Sequence, residues 1–484
     1  MGWDATKAWA WDEFGSAALG DFRNTRRVVS MAAQAARSPH GIVSQVFANP
    51  KELEGAYDLL QNDRVSPKAL AAGVATACAR RCAALPFAWL VVDGSSLSLE
   101  DEHGLKGFGP LGNTKANGRG IKVITSYALD PNGTPMGLGY LQFFIRKPAP
   151  LRADGSKKHA SCRKVEDKET QRWIDAVRDT REVWQQHAPG VRRWWVIDRE
   201  ADSWAHLMET CRPDEWMTIR NKVNRRLKTT GPNPKYLRDV LEAHPVTYEY
   251  ELYVPAGPKR TERTARMQVR CCLVTLDMRD KFTDRRYALT INVVRTREVG
   301  TTPQGEEPLD WVLMTNHPIE TSEDVCLVIF SYTQRWHVEE FHRAWKSAGC
   351  CIEDSRLRGK NQVMKWATLL AAVAARAERL KMLARNEPKL PASVDLTTYE
   401  IAAIRALHRR GAKKGERIPK MPTIEQAVRW ISLLGGHKSA PSAGVAGTIS
   451  IMRGLERLRD VALGFELAAM LAAVSIPSAS GNSK

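Results

Sequence analysis

FAWLVVDGSSLSL, Phe87 to Leu99, is a continuous apolar run that reaches an acidic residue and then gives way to small polar ones. A short, unbroken run rich in β-branched and aromatic side chains reads as a buried strand, here ending at Asp93. Downstream, IKVITSYAL and MGLGYLQFFI flank Asp130-Pro131-Asn132-Gly133. The Asn-Gly pair predicts a tight hairpin turn with positive backbone angles, hence two antiparallel strands. Lys164 to His187 is charged with helical period, and Arg193 to Ile197 is a second apolar strand that runs straight into Asp198. A short helix from Ser203 and a strand from Trp216 to Arg220 follow.

Strand, hairpin, helix, strand, helix, strand is the order of an RNase H-like core. Around it, residues 1 to 85 read as helical, with periodic Ala, Val and Leu in Thr25 to Ala36, Glu52 to Leu60 and Pro67 to Cys82. Residues 222 to 320 alternate in the manner of strands (VTYEYELYV, MQVRCCLVTL, YALTINVV) and read as a β-rich insertion. Ser322 to Ser347 and Met364 to Leu383 are helical, as are Ile424 to Leu434 and Ile449 to Ala473. Pro388 to Pro391 and Arg409 to Lys420 read as linkers, and Ser475 to Lys484 as a frayed tail. The expected architecture is α/β: an RNase H-like mixed-sheet core over 86–385 with its insertion at 222–320, between all-α domains at 1–85 and 386–484.

Composition bounds the function. At 484 residues, with 43% hydrophobic and 26% charged residues, the chain is globular and multidomain. Lys and Arg exceed Asp and Glu by 72 − 54 = 18, which favours a polyanionic partner, above all nucleic acid. The cations recur at Arg146 to Arg163, Lys222 to Lys228 and Arg409 to Lys420, and Arg23, Arg26 and Arg27 open the first long helix, where phosphates would also meet its amide dipoles. Nine cysteines lack CxxC pairs or zinc spacing and are expected to be reduced thiols of a cytoplasmic protein. No secretory signal and no membrane span are expected.

The chemistry gathers in SYTQRWHVEEFHRAWK, Ser331 to Lys346. Tyr332, Arg335, Glu339, His342 and Lys346 are spaced three, four, three and four, so at about 100° per residue they form one polar stripe on a single helix. Phe330, Val338, Phe341, Ala344 and Trp345 form the opposite, core-facing side. Asp93 and Asp198 on neighbouring strands, with Glu339 from a helix crossing them, would supply the carboxylates that a two-metal phosphodiester site needs. Arg335 and Lys346 would then hold phosphates, Tyr332 would donate to a phosphate oxygen, and His342 is a further DNA-contact candidate. Glu340 lies about 100° around the helix from Glu339 and leaves the stripe.

These residues resemble the signature of a known family, the bacterial DDE transposases of the insertion-sequence-four family, Tn-five type. Tyr332, Arg335, Glu339 and Lys346 match its Y-(2)-R-(3)-E-(6)-K pattern, DREAD at Asp198 to Asp202 its second acidic motif, and VVDGSSLS at Val91 to Ser98 its first. SAALGD (Ser16 to Asp21), EGAYDLL (Glu54 to Leu60) and LGG (Leu434 to Gly436) extend the similarity through most of the chain.

The resemblance implies Asp93, Asp198 and Glu339 as a metal-binding triad for two Mg²⁺, with Mn²⁺ able to substitute. It implies N-terminal helices that read transposon ends through Arg23 and Arg27, Trp311 stacking on a flipped base, and Arg220 near the site. Asn24 departs from the pattern, which has arginine there. Homodimers cutting in trans through C-terminal helices are implied too, as is cut-and-paste transposition of double-stranded DNA through a hairpin intermediate. Two other readings stay open: a stand-alone nuclease that cuts without joining, and a DNA-binding regulator that occupies ends without cutting.

Overall fold

The computed structural model describes residues 5–101, 104–112, 118–146, 164–229, 235–257, 260–438 and 445–474. Most of the basic segment Arg146 to Arg163 and the tail Ser475 to Lys484 lie outside the described residues.

The chain begins with helices α1 (Ala5–Phe14), α2 (Phe22–Arg37), α3 (Val43–Val46), α4 (Pro50–Gln61) and α5 (Pro67–Cys82). The three long ones start where side chains satisfy free amides: Asp21 caps α2, Asn49 caps α4 and Ser66 caps α5, the last two followed by proline at the first helical position. Their apolar faces do not close on themselves. Val28, Ala32, Leu59 and Leu70 share one core with Trp89 and Val91 of the central sheet.

That sheet has ten strands: β1 (Phe87–Ser98), β2 (Gly109–Pro110), β3 (Arg119–Leu129), β4 (Pro135–Phe144), β5 (Arg192–Ile197), β6 (Trp216–Arg220), β7 (Tyr248–Val254), β8 (Arg263–Arg279), β9 (Arg286–Val299) and β10 (Asp310–Thr315). The order is β2-β3-β1-β5-β6-β10-β9-β8-β7, with β4 also on β3. β1 is antiparallel to β3 and parallel to β5, and β5 is parallel to β6. Parallel neighbours need crossovers, supplied by α6 (Gln171–His187) before β5 and α7 (Trp204–Thr210) before β6. A hairpin-bearing first strand with parallel crossovers at its other edge, flanked by helical regions, is consistent with an RNase H-like core.

Three expectations are corrected. β1 does not stop at Asp93 but continues to Ser98, because β3 offers an antiparallel partner from Asp93↔Thr125 to Ser98↔Gly120, past the point where β5 ends at Val92↔Ile197. The hairpin turn has positive φ only at Gly133 (+83°) and not at Asn132. Asp130 instead organises a wider loop, its carboxylate accepting from the amides of Asn132 and Thr134.

The third correction concerns the single helix expected over Ser322 to Ser347, which is in fact α9 (Ser322–Thr333), α10 (Trp336–Arg343) and a π turn at Ala344–Ala348. Near the break, side chains compete for backbone carbonyls: Ser331 donates to Val328, and both Thr333 and Gln334 donate to Phe330. The amides of Arg335 and Val338 accordingly bond three residues back.

The β-rich segment 222–320, which begins with α8 (Leu237–Ala243), adds β7 to β10 to the same sheet, since β10 pairs with β6. After α10 come α11 (Lys360–Asn386), α12 (Thr398–Gly411), α13 (Ile424–Leu434) and α14 (Thr448–Val474). Leu380 and Leu383 of α11 join Ile404, Ile431 and Ile451 in a separate C-terminal core. There a Cβ on Gly435 would stand 1.7 Å from the Ser450 carbonyl, and one on Gly454 1.9 Å from that of Ile431, so only glycine permits the crossing of α13 and α14. No helix among the described residues is long and apolar enough to cross a membrane.

Candidate active site

Strand alternation aims the two aspartates. On β1, Trp89 and Val91 face one apolar cluster while Leu90 and Val92 face the other; on β5, Trp194 and Val196 face the first, Trp195 and Ile197 the second. Asp93 and Asp198 are next in each alternation, so both follow the side that carries Val338 and Phe341 of α10. Because Val92 pairs with Ile197 in parallel register, each aspartate is the residue after a matched pair, Asp93 within β1 and Asp198 just past the end of β5.

From above, the polar stripe meets them. Tyr332 Oη donates to Asp198 Oδ1 at 2.8 Å. Arg335 Nη1 lies 2.9 Å from Glu339 Oε1 and 3.3 Å from Asp93 Oδ2, so one guanidinium bridges two of the three acids. Lys346 Nζ reaches Ser95 Oγ at 3.5 Å and Glu353 Oε1 at 3.8 Å.

The stripe thus survives the helix break, though with altered roles. The Tyr332 hydroxyl is engaged by Asp198 rather than turned to an outside phosphate. His342 is buried, with Nε2 3.3 Å from Thr125 Oγ1 on β3. Burial, then the Lys346 charge, pushes its pKa down to about 3, so the ring is neutral, and a DNA contact through His342 does not fit this placement. Glu340 turns to α11, where Lys381 Nζ stands 3.2 Å away, which leaves Glu339 as the acid facing Arg335.

Electrostatics distinguish the two aspartates. Burial raises the Asp93 carboxyl to about 7; Arg335 and the Gly94 amide oppose this, and the nearby charges of Glu339 and Asp198 add to it. Burial also acts on Asp198, but the Arg199 amide, the Tyr332 hydroxyl and the charges of Arg335 and Arg220 together hold it below the ordinary carboxylate range. Stability follows. A carboxyl whose folded pKa is raised contributes stability fully present below its unfolded value of 3.8, and this is lost as pH rises toward 7. Asp93→Asn, read by thermal unfolding without metal, is therefore expected to gain stability over wild type as pH climbs through that window, by on the order of a few kcal/mol. Parallel unfolding curves from pH 4 to 8 would remove the burial argument.

The donor set suits a hard divalent cation, since all three candidate ligands are carboxylates and their charges act on one another. Among the described residues, however, no group of three His, Cys, Asp or Glu is already arranged as a metal cage. A cation already stands between two of the acids in the form of Arg335.

Around this centre, Trp311 of β10 packs edge-on against Tyr332 with ring centroids 5.5 Å apart. Arg220, at the end of β6, lies over the same ring, 5.9 Å from its centroid. Two residues that only the resemblance singled out thus touch the tyrosine that binds Asp198.

Residues 6–65 match the family model described as transposase DNA-binding. This supports a transposase that binds DNA. The transposase DNA-binding segment spans α1 to the turn before α5 and so contains both N-terminal arginines. Arg23 is highly exposed and is paired to Asp21 at 2.8 Å. Asp21 also accepts from the Arg23 amide, so the first turn of α2 already has an acidic cap and is not an open phosphate cradle. Arg27, exposed, has its guanidinium against Gly55 of α4, within the EGAYDLL motif. Asn24 serves the segment internally, donating to the Leu19 carbonyl and accepting from Asn62.

Sequence reasoning missed three residues near the centre. Asp202, the last of DREAD, has no exposed side-chain surface and accepts from the amides of Lys222 and Val223 and from Arg225, so it shapes the turn after β6. Glu353 accepts from the Ser98 amide at 2.7 Å, and Lys122 donates to Ser96 Oγ at 2.8 Å. DREAD held a signal for the first, as an acid four residues beyond Asp198; nothing local marked the other two.

Proposed function

We propose that this transposase is of the DDE type, in the manner of the insertion-sequence-four family, and carries out cut-and-paste transposition with Asp93, Asp198 and Glu339 as its acidic triad. The observation that carries this reading is the meeting of Asp93 on β1 and Asp198 at the end of β5 with Tyr332, Arg335 and Glu339. Two Mg²⁺ ions held by the triad, or Mn²⁺ in their place, would lower the pKa of an attacking water or 3′-hydroxyl and stabilise the leaving oxygen.

The chain's own residues do the rest. Tyr332 orients Asp198 and keeps it charged. Arg335 neutralises Asp93 and Glu339 until ligands replace it, and is then free to hold a phosphate beside the scissile one. Lys346 holds a flanking phosphate, Arg220 adds positive potential, and Arg23 and Arg27 contact the transposon ends. The reaction sequence is a nick by water, attack of the freed 3′-hydroxyl on the opposite strand as a hairpin, reopening, and attack on target DNA by a homodimer acting in trans.

The test incubates the protein and Mg²⁺ with a plasmid carrying the DNA that flanks its gene, plus a target plasmid. Excision followed by joined product is expected. Cut ends that never join would favour a stand-alone nuclease, and binding without nicking a regulator. In the same assay Trp311→Ala is expected to slow hairpin formation by about tenfold or more while first-strand nicking stays near wild type, since base stacking is worth about 1 to 3 kcal/mol. Equal loss of both steps would instead assign Trp311 to packing against Tyr332.

A further inference from the structure

A chain of charged groups begins at half-buried Glu340, one residue from the candidate site, and runs through buried Lys381 and Glu378 to the C-terminal helices. Glu340 Oε2 lies 3.2 Å from Lys381 Nζ and 3.6 Å from His337 Nδ1. Lys381 pairs in turn with Glu378 at 2.5 Å, both side chains being only 2% exposed. Glu378 Oε1 accepts from the hydroxyl of Thr448, the first residue of α14, also at 2.5 Å.

Such a buried pair is an inefficient way to add stability, because desolvating the charges offsets most of their attraction and apolar residues of similar size would serve as well. What it does supply is orientation. α10 is eight residues long, with a tightened turn before it and a π turn after it, so its own backbone constrains its rotation weakly. Glu339 and Glu340 leave the helix about 100° apart, so tying Glu340 to α11 sets the direction in which Glu339 projects.

We propose that Glu340 is a positioning residue for Glu339, and that the Glu340, Lys381, Glu378, Thr448 chain couples the C-terminal helices to the acidic site. This rests on the reading of Glu339 as a metal-binding acid. A shift of α14 is then felt at Glu339 through Glu378 and Lys381.

The experiment measures single-turnover nicking of a supercoiled plasmid carrying the gene-flanking DNA across a Mg²⁺ titration, with Tm recorded, for wild type, Glu340→Gln, Thr448→Val and the double variant. Glu340→Gln is expected to raise the Mg²⁺ needed for half-maximal nicking and to lower the maximal rate by about tenfold or more. Thr448→Val should move both in the same direction by less, and the double variant should fall no further than Glu340→Gln, because both changes cut one chain. Lowered Tm with an unchanged Mg²⁺ titration would overturn the proposal, and so would additive losses. Should Glu340→Gln fail to fold, Thr448→Val decides alone. A wild type that never nicks under any Mg²⁺ concentration would sink the functional reading itself, a result distinct from active variants with unchanged metal dependence.

Discussion

Asp198→Asn is expected to lower Mg²⁺-dependent strand cleavage by at least about a thousandfold while DNA binding stays within about twofold of wild type. Asparagine keeps the size of the side chain, and its carbonyl still accepts from Tyr332 Oη, so the 2.8 Å contact that joins α9 to the end of β5 can persist. What disappears is the negative charge, the one property a divalent cation requires of this position. Asp93→Asn and Glu339→Gln belong to the same series, with the difference that Arg335 loses a charged partner in each. Cleavage followed on denaturing gels, beside mobility shifts with the same duplex, reads both halves of the expectation. Cleavage retained by any one of the three variants would remove that residue from the triad, whereas loss of binding along with cleavage would point to unfolding.

The second large effect is on stability. Glu215, which precedes β6, has no exposed side-chain surface and is the hub of a buried network: Arg181 Nε and Arg193 Nε each lie 2.7 Å from its Oε1, and Trp195 Nε1 donates to Oε2 at 2.7 Å. Glu215→Ala leaves two buried guanidinium groups short of a counter-charge, which costs about 3 to 5 kcal/mol when one partner of a buried pair is removed. An unfolding free energy lowered by that amount in a denaturant titration is expected, together with weakened cleavage, because the network ties β5, which leads into Asp198, to α6 and the start of β6. A midpoint within error of wild type would mean that water or neighbouring acids such as Glu209, 2.7 Å from Arg181, compensate the arginines.

The elements that were readable from the residues were those whose signal is local. α5 and α13 begin and end where the apolar period and the caps place them, and β5 and β6 coincide with short apolar runs. α12 carried no signal strong enough to be placed, and Asp310 to Thr315 was legible only as part of the β-rich segment 222–320, without bounds of its own. Within the candidate site, the three-and-four spacing from Tyr332 to Lys346 was visible because helical period is a property of the backbone itself. The inward turn of His342 was not, since only the presence of Thr125 on a distant strand creates its partner. Glu353 and Lys122 stayed hidden for the same reason, with partners at Ser98 and Ser96.

By itself, the amino-acid sequence determined where the strongly patterned strands and helices form, that two aspartates close apolar runs, and that a set of polar residues repeats at helical spacing. Those properties follow from steric preference and side-chain alternation over a few neighbouring residues. Tertiary structure decided that β1 runs past Asp93, that Arg335 links Asp93 to Glu339, and that Asp93 and Asp198 hold their protons differently. Strand pairing and burial bring together groups more than a hundred residues apart, and the free energy of a buried charge depends on those neighbours and not on its position along the chain.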